Sequence, residues 1–144
     1  MVIVAVPSMG KGGLNDEMNP RFGRCNSFTF VELENKEIQA VKTVPNHAAE
    51  AMGGAGVQAT QIIGNNNAEI LIAGLLGPNA INSLRALNIK VLQAPDKTLT
   101  INEVVKLFLE EKLEEMTSAN VSSHYGMGGR RGMGSGNRRR GMNL

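Results

Sequence analysis

The chain has 144 residues, one cysteine, 3% aromatic residues and a formal net charge of +2. Its length suits one domain that buries a core without disulfides or a structural metal. The composition argues against a disulfide framework, a four-cysteine zinc site, a membrane helix and a secretory signal peptide. We therefore expect a protein of a reducing, cytoplasmic setting.

The near-neutral total charge hides two parts of opposite sign. Residues 126–144 hold five arginines, seven of the 17 glycines and no acid. The remaining 10 basic residues face 13 acidic residues, so the body has a net charge of −3 and the tail of +5. We predict a folded domain over residues 1–116 and a disordered, basic tail rich in Gly, Arg and Met over residues 117–144.

The chain opens with elements typical of a mixed sheet. Residues 2–6 form a short apolar run that predicts a buried, parallel strand. Residues 7–24 are polar and glycine-rich, and a loop of this length in a small domain is disordered or functional. The β-rich runs 27–33 and 37–44 flank a short polar turn and predict a β-hairpin.

The second half alternates helix and strand. Helices are predicted from Ala55, from Pro78 and from a capping box at Thr100, the last reaching Leu113. Strands are predicted at residues 69–73 and 89–92. This order predicts an α/β fold with three α/β/α layers and a mixed five-stranded sheet, order 3-2-1-4-5, with one antiparallel strand. The loops after the first and fourth strands flank the change in strand order, where open α/β sheets bind ligands.

Two familiar kinds of site do not fit. The glycines around Lys11 lack the phosphate-loop spacing, and no Ser or Thr follows that lysine. A two-metal nuclease needs several carboxylates at the sheet end. The first predicted strand has none and the fourth has only Glu69.

Candidate metal ligands lie in the two glycine-rich loops. Arg21 and Arg24 precede Cys25, and their charge favours the metal-binding thiolate by lowering its pKa. The alternative is a buried, inert cysteine. His47 precedes the glycines of residues 53–56, which leave backbone N–H groups for an anion at a helix start. The alternative there is an ordinary exposed histidine.

Four segments together carry a family resemblance: the opening strand, residues 19–25, residues 53–56 and residues 73–80. With them the chain resembles the dinitrogenase iron–molybdenum cofactor biosynthesis family, small nitrogenase-accessory-factor-like proteins. The resemblance implies a ribonuclease-H-like fold without nuclease activity. It also implies binding of an iron–sulfur or molybdenum-containing cluster. Cofactor-binding members often have His where this chain has Arg21, which cannot ligate a metal but can hold an anion.

The local chemistry and the resemblance together predict one cluster site in a crevice of loops 8–25, 45–56 and 74–79. Cys25 and His47 are its predicted metal ligands, with Met9 a weaker candidate, because soft ligands suit such clusters. The predicted cofactor-binding residues are Arg21, Phe22, Gly23, Arg24, Gly53, Gly54, Gly56, Gly74, Gly77 and Asn79.

We expect a non-enzymatic protein that binds or carries this metal cluster for cofactor assembly or delivery to a cluster-receiving protein. The alternative is a protein-interaction module without a cluster, whose partner is an ATPase or an acidic protein. The tail is expected either to aid solubility or to dock on an acidic partner. Nucleic-acid binding is disfavoured because interleaved aromatics are missing. A further candidate soft-metal site in the tail comprises His124, Met127, Met133 and Met142.

Overall fold

The structure, a computed structural model, describes residues 1–120. Within them a single sheet has the strand order β3-β2-β1-β4-β5-β6. Two short 3-10 helices and three α-helices connect its strands. The strands are β1 (Val2–Ser8), β2 (Ser27–Glu34), β3 (Glu37–Pro45), β4 (Ile70–Ala73), β5 (Lys90–Gln93) and β6 (Glu114–Glu115). The helices are α1 (Ala55–Asn65), α2 (Pro78–Ala86) and α3 (Ile101–Leu109), with 3-10 turns at Phe22–Arg24 and His47–Glu50.

The predicted mixed sheet and its order 3-2-1-4-5 are confirmed. Strand β1 pairs parallel with β4, and β4 pairs parallel with β5. Strand β2 lies antiparallel between β1 and β3. The predicted number of strands is one too low, because β6 adds an antiparallel edge beside β5, with Glu115 opposite Leu92.

Two apolar layers sandwich the sheet. Along β1, Val4 and Val6 face one side and Ala5 the other, as the two-residue period of a strand requires. Helix α3 covers the first side through residues such as Val104. Helices α1 and α2 cover the second side, where Ile63 lies in the other cluster. The predicted α/β/α layering is confirmed.

Local backbone conformations set where the elements turn. Asn35 and Lys36 have φ angles of 55° and 65°, the pair of left-handed residues that a tight β2–β3 hairpin needs. The predicted capping box of α3 is present, since the Thr100 and Glu103 side chains each accept a backbone N–H of the other residue.

The prediction that α3 reaches Leu113 is wrong. The helix ends at Leu109, and Glu111 adopts a left-handed φ of 58°. The Lys112 N–H then donates to the Leu107 carbonyl at 3.0 Å, as in a glycine-ended helix. Glu111 stands where a glycine usually ends a helix, so this end could not be recognised from the sequence.

The packed chain continues past the boundary predicted at Met116. Met116 is buried, and its N–H donates to the Val91 carbonyl at 2.8 Å. Arg85 donates to the Thr117 carbonyl, and Ala119 packs against the core. The domain therefore extends to Asn120. Disorder of residues 121–144, and the tail's candidate metal site, lie outside the described residues and stay predictions.

Candidate functional site

A cleft opens where the carboxyl ends of three parallel strands meet. The loops leaving β1, β4 and β5 enclose a volume of about 470 Å³. This is the position at which open α/β sheets bind ligands. We call it the carboxyl-edge cleft; its lining comprises Met9, Glu17, Met18, Pro20, Gly74, Leu75, Gln93, Ala94, Pro95, Asp96, Lys97 and Thr98.

The wall formed by the β1 loop is held by Asp16. Its carboxylate accepts hydrogen bonds at 2.8 Å from the N–H groups of Gly10, Gly12 and Glu17. Partial burial works to raise the pKa of Asp16, but these three hydrogen bonds outweigh it and hold the pKa below its usual value. The long loop is thus folded by an internal carboxylate, a role that sequence reasoning missed.

Two methionines project from this wall into the cleft. The Met9 N–H donates to the Glu17 carbonyl at 2.9 Å, and Met18 lies opposite Ser8 in an isolated antiparallel bridge. Met9 is 48% exposed, whereas Met18 is 9% exposed. Met9 was a weaker candidate from the sequence. Met18 was missed, because a bridge formed inside a loop leaves no periodic pattern to detect.

The β4 loop forms the facing wall. A Cβ atom on Gly74 would lie 2.9 Å from the Pro20 Cβ, so glycine permits this close approach. The Leu75 N–H donates to the Pro20 carbonyl at 2.7 Å, and Leu75 bridges Arg21. Gly74 lines the cleft, and its lack of a side chain lets the two loops touch; that it binds a cofactor stays a prediction.

Asn120 fastens the same loop from outside. Its Oδ1 accepts the Leu76 N–H at 2.8 Å, and its Nδ2 donates to the Gly74 carbonyl at 2.7 Å. The Asn120 N–H also donates to the Leu76 carbonyl at 3.0 Å. The last described residue is thus fixed at the edge of the carboxyl-edge cleft.

The remaining predicted residues of the β4–α2 region lie near the start of α2. Gly77 is the residue that precedes the helix, and no side chain caps the N–H groups there. Asn79 is exposed in the first turn. Neither residue lines the carboxyl-edge cleft.

The segment Arg21–Cys25, which we call the arginine–cysteine loop, is mostly packed. Phe22 is 1% exposed, and its ring centroid lies 5.4 Å from that of Phe28. Cys25 is fully buried, with Sγ 3.3 Å from the Phe22 carbonyl. Asn46 Nδ2 lies 3.6 Å from the same sulfur. This part of the loop belongs to the core.

The prediction of a lowered pKa at Cys25 is wrong. Burial raises the pKa of the thiol to about 12, far more than the hydrogen bond from Asn46 lowers it. Cys25 does not line the cleft either. The structure therefore favours the alternative of a buried, inert cysteine.

Arg24 has a structural task. Its Nη1 donates to the Ala49 and Ala51 carbonyls at 2.8 and 2.7 Å. It thereby ties residues 45–56, the second glycine-rich loop, to the arginine–cysteine loop. Arg21 is exposed, and its N–H donates to the Asn19 side chain at 2.9 Å. Arg24, in contrast, is half-buried.

The second glycine-rich loop, residues 45–56, is tightly packed where it enters α1. A Cβ on Gly23 would lie 3.2 Å from the Gly56 nitrogen, and one on Gly56 would lie 2.9 Å from the Ala80 Cβ. These two glycines allow close packing of the loop, α1 and α2. Gly53 and Gly54 face open space.

The predicted crevice therefore needs correction in one wall. Loop 45–56, with the exposed His47, does not line the carboxyl-edge cleft; residues 93–98 take its place. Among residues 1–120 no group of three or more His, Cys, Asp or Glu side chains is arranged to hold a metal ion. The predicted metal ligands Cys25 and His47 thus form no such group.

The molecule is a small α/β/α domain with a cleft at the carboxyl edge of its sheet, the position at which open α/β sheets bind ligands. Residues 1–111 match the model of the dinitrogenase iron-molybdenum cofactor family, and the chain belongs to this family. An uncharacterized protein of Methanocaldococcus jannaschii is 39% identical over 101 residues, 70% of this chain and 84% of that protein.

Two solved structures are similar over the whole domain. The apo form of the orange protein from Desulfovibrio gigas is 32% identical, with a TM-score of 0.77 over 84% of this chain and 98% of its own. A putative NifB protein from Thermotoga, assigned to the DUF35 family, is also 32% identical, with a TM-score of 0.70 and the same coverage. These likenesses associate the family with iron–molybdenum cofactor processes.

Within the described residues, no helix combines the length and apolar character needed to cross a bilayer. The cytoplasmic location stays a prediction.

Proposed function

We propose that this protein binds an iron–sulfur or molybdenum-containing cluster in the carboxyl-edge cleft and carries it during cofactor assembly or delivery. The observation that carries the proposal is the cleft itself, about 470 Å³ at the change in strand order and lined by Met9 and Met18. The family's link to the iron–molybdenum cofactor supplies the class of cargo. The cluster is the cargo, and the protein acts by binding rather than by catalysis.

The chemistry of the cleft suits a loosely held cluster. Methionine thioethers are soft, neutral ligands that match metals in sulfur-rich clusters. The described residues offer no group of three or more His, Cys, Asp or Glu side chains that could hold a metal ion, which favours loose binding over tight ligation. Thioether contacts, shape and neighbouring polar groups together give exchangeable binding. Such binding suits a carrier that must release what it holds.

Release requires a recipient. We propose a cluster-receiving protein or an associated ATPase as the partner that takes the cargo from the cleft. The half-exposed side chain of Met9 stands at the opening, where a recipient can approach.

The test is equilibrium binding of tetrathiomolybdate, a molybdenum–sulfur dianion, measured anaerobically on the full chain. Met9→Ala is expected to weaken binding about tenfold, which corresponds to about 1.4 kcal/mol. Met9→Leu keeps the apolar volume and separates sulfur ligation from simple packing. Met52→Ala is the matched control, because Met52 is 90% exposed and lies outside the cleft.

Wild-type affinity retained in both Met9 variants would contradict the site. Absence of binding to the wild-type chain, both for tetrathiomolybdate and for clusters reconstituted from iron, sulfide and molybdate, would contradict the function.

A further inference from the structure

The β4 loop, one wall of the carboxyl-edge cleft, is held from two sides. On the cleft side, the Leu75 N–H donates to the Pro20 carbonyl at 2.7 Å, and both residues line the cleft. On the outer side, Asn120 makes hydrogen bonds of 2.8, 2.7 and 3.0 Å with Gly74 and Leu76. Because Gly74, Leu75 and Leu76 are consecutive, both sets of hydrogen bonds fix the same short stretch of backbone.

The Gly74 carbonyl is the point at which two walls of the cleft meet. It accepts a hydrogen bond from Asn120 Nδ2 at 2.7 Å and another from Gln93 Nε2 at 3.3 Å. Gln93 lines the cleft at the start of the wall formed by residues 93–98. The bond from Asn120 is the shorter of the two, and hydrogen bonds weaken as they lengthen. Asn120 therefore holds this carbonyl more firmly than Gln93 does.

The segment that leads to Asn120 is itself anchored to the domain. Strand β6 pairs with β5, and the buried Met116 donates its N–H to the Val91 carbonyl at 2.8 Å. Arg85 then donates to the Thr117 carbonyl. Asn120 is thus a fixed point against which the β4 loop is held. The family model matches residues 1–111, so this anchor lies beyond the matched residues.

We propose that Asn120 is a positioning residue for cargo binding, which holds the β4 loop in place and so sets the shape of the carboxyl-edge cleft. The proposal rests on the proposed function for the identity of the cargo. Asn120 does not line the cleft, and it acts through Gly74 and Leu75, which do. A wall that is already ordered has less freedom to lose when a ligand binds. Loss of the anchor therefore weakens binding and speeds release.

The first test needs no cargo and measures amide hydrogen exchange in full-length Asn120→Ala. The informative group is the Leu75 N–H, because Asn120 does not touch it and its partner is the Pro20 carbonyl. We expect this N–H to exchange at least about tenfold faster than in wild type. The Met18 N–H, bonded to the Leu99 carbonyl at 2.8 Å in the facing wall, is expected to keep its wild-type rate.

Asn82→Ala is the matched control for this test, because Asn82 is exposed on α2 and does not line the cleft. We expect wild-type exchange at both amides in this variant. Unchanged exchange at Leu75 in Asn120→Ala would overturn the positioning role. Equal acceleration at Leu75 and Met18 would also overturn it, because it would show a general loss of stability.

The second test measures anaerobic tetrathiomolybdate binding and release with the same full-length variants. Asn120→Ala is expected to weaken binding about tenfold, mainly through faster release. Asn120→Leu keeps the side-chain volume without either amide hydrogen bond and is expected to behave like Asn120→Ala. Asn82→Ala is expected to bind as wild type. Wild-type affinity and release rate in both Asn120 variants would overturn the role of Asn120 in cargo binding.

The two tests separate this proposal from the proposed function. Suppose that wild type binds no cluster and that Leu75 exchanges faster in Asn120→Ala. This result would support the positioning of the wall and contradict the cargo. Tetrathiomolybdate binding to wild type, with unchanged Leu75 exchange in Asn120→Ala, would support the cargo and contradict the positioning role.

Discussion

The carboxyl-edge cleft and the arginine–cysteine loop lie at the same end of the sheet and differ in outcome. A glycine allows a close backbone approach in each, Gly74 in the first and Gly23 in the second. The first leaves about 470 Å³ open and exposes 48% of Met9, whereas the second buries Cys25 completely. In the second region the glycines serve close packing, as the approach of Gly23 to Gly56 shows. Glycine-rich loops beside a sheet therefore mark a ligand site only where their neighbours leave space.

The largest expected effect lies in the packed region. Phe22→Ala removes a fully buried ring that contacts Phe28, and we expect the free energy of unfolding to fall by about 3–5 kcal/mol. Chemical denaturation measures the loss. Met52→Ala, at a 90% exposed position, is the control and is expected to change stability by less than about 0.5 kcal/mol. Similar losses of unfolding free energy in both variants would contradict the assignment of the arginine–cysteine loop to the core.

A second substitution tests the close approach of α1 to α2 at Gly56. Gly56→Ala places a Cβ 2.9 Å from the Ala80 Cβ, so α1 and α2 must separate. We expect a loss of about 1–3 kcal/mol. Gly53→Ala meets open space and serves as the matched control, expected to be neutral. A more stable Gly56→Ala variant would mean that this contact does not require glycine.

A third substitution tests the wall of the cleft. Asp16→Asn weakens the hydrogen bonds from Gly10 and Gly12, with an expected loss of about 1 kcal/mol near neutral pH. Because the pKa of Asp16 is lowered on folding, its contribution is fully present above the ordinary value of 3.8. It disappears as the pH falls through the lowered pKa.

Chemical denaturation of wild type and Asp16→Asn across the acid range checks the direction of this pH dependence. The difference between them is expected to shrink as the pH falls. Asp96→Asn, an exposed change in the same cleft, is the control and should not reproduce it. A difference that grows in acid would contradict the role given to Asp16.

The smallest expected effect concerns Cys25. Because the thiol is buried and its pKa is raised to about 12, Cys25→Ala should leave tetrathiomolybdate affinity unchanged. The native thiol should also resist alkylation at pH values where the denatured chain reacts readily. A marked loss of affinity in Cys25→Ala would support Cys25 as a ligand. It would contradict the assignment of the arginine–cysteine loop to the core and of the ligand to the carboxyl-edge cleft.

The sequence predicted the sheet because apolar periodicity and the alternation of elements carry topology. It missed β6, whose two residues are exposed glutamates without an apolar pattern, and it extended α3 past the left-handed Glu111. These features depend on pairing with Leu92 and Gln93 and on local backbone conformation.

The candidate site was predicted in part. The loops after β1 and β4 line the cleft as expected, and Gly74 is among the lining residues. The wall at residues 93–98 carries no motif and could not be predicted from the sequence. A glycine can face a tightly packed neighbour or open space, depending on which residues lie near it in the fold. The contact of Gly56 with Ala80 joins residues far apart in the sequence, so it could not be predicted.

The most direct test of the carboxyl-edge cleft is a methyl spectrum of the methionine-labelled full chain, titrated anaerobically with tetrathiomolybdate. We expect the Met9 and Met18 methyl resonances to shift together and saturate, while those of Met52 stay in place. Met18 is nearly buried, so its response reports entry into the cleft rather than surface contact. A saturating shift at Met52 with Met9 and Met18 unchanged would place the ligand at the second glycine-rich loop and contradict the account.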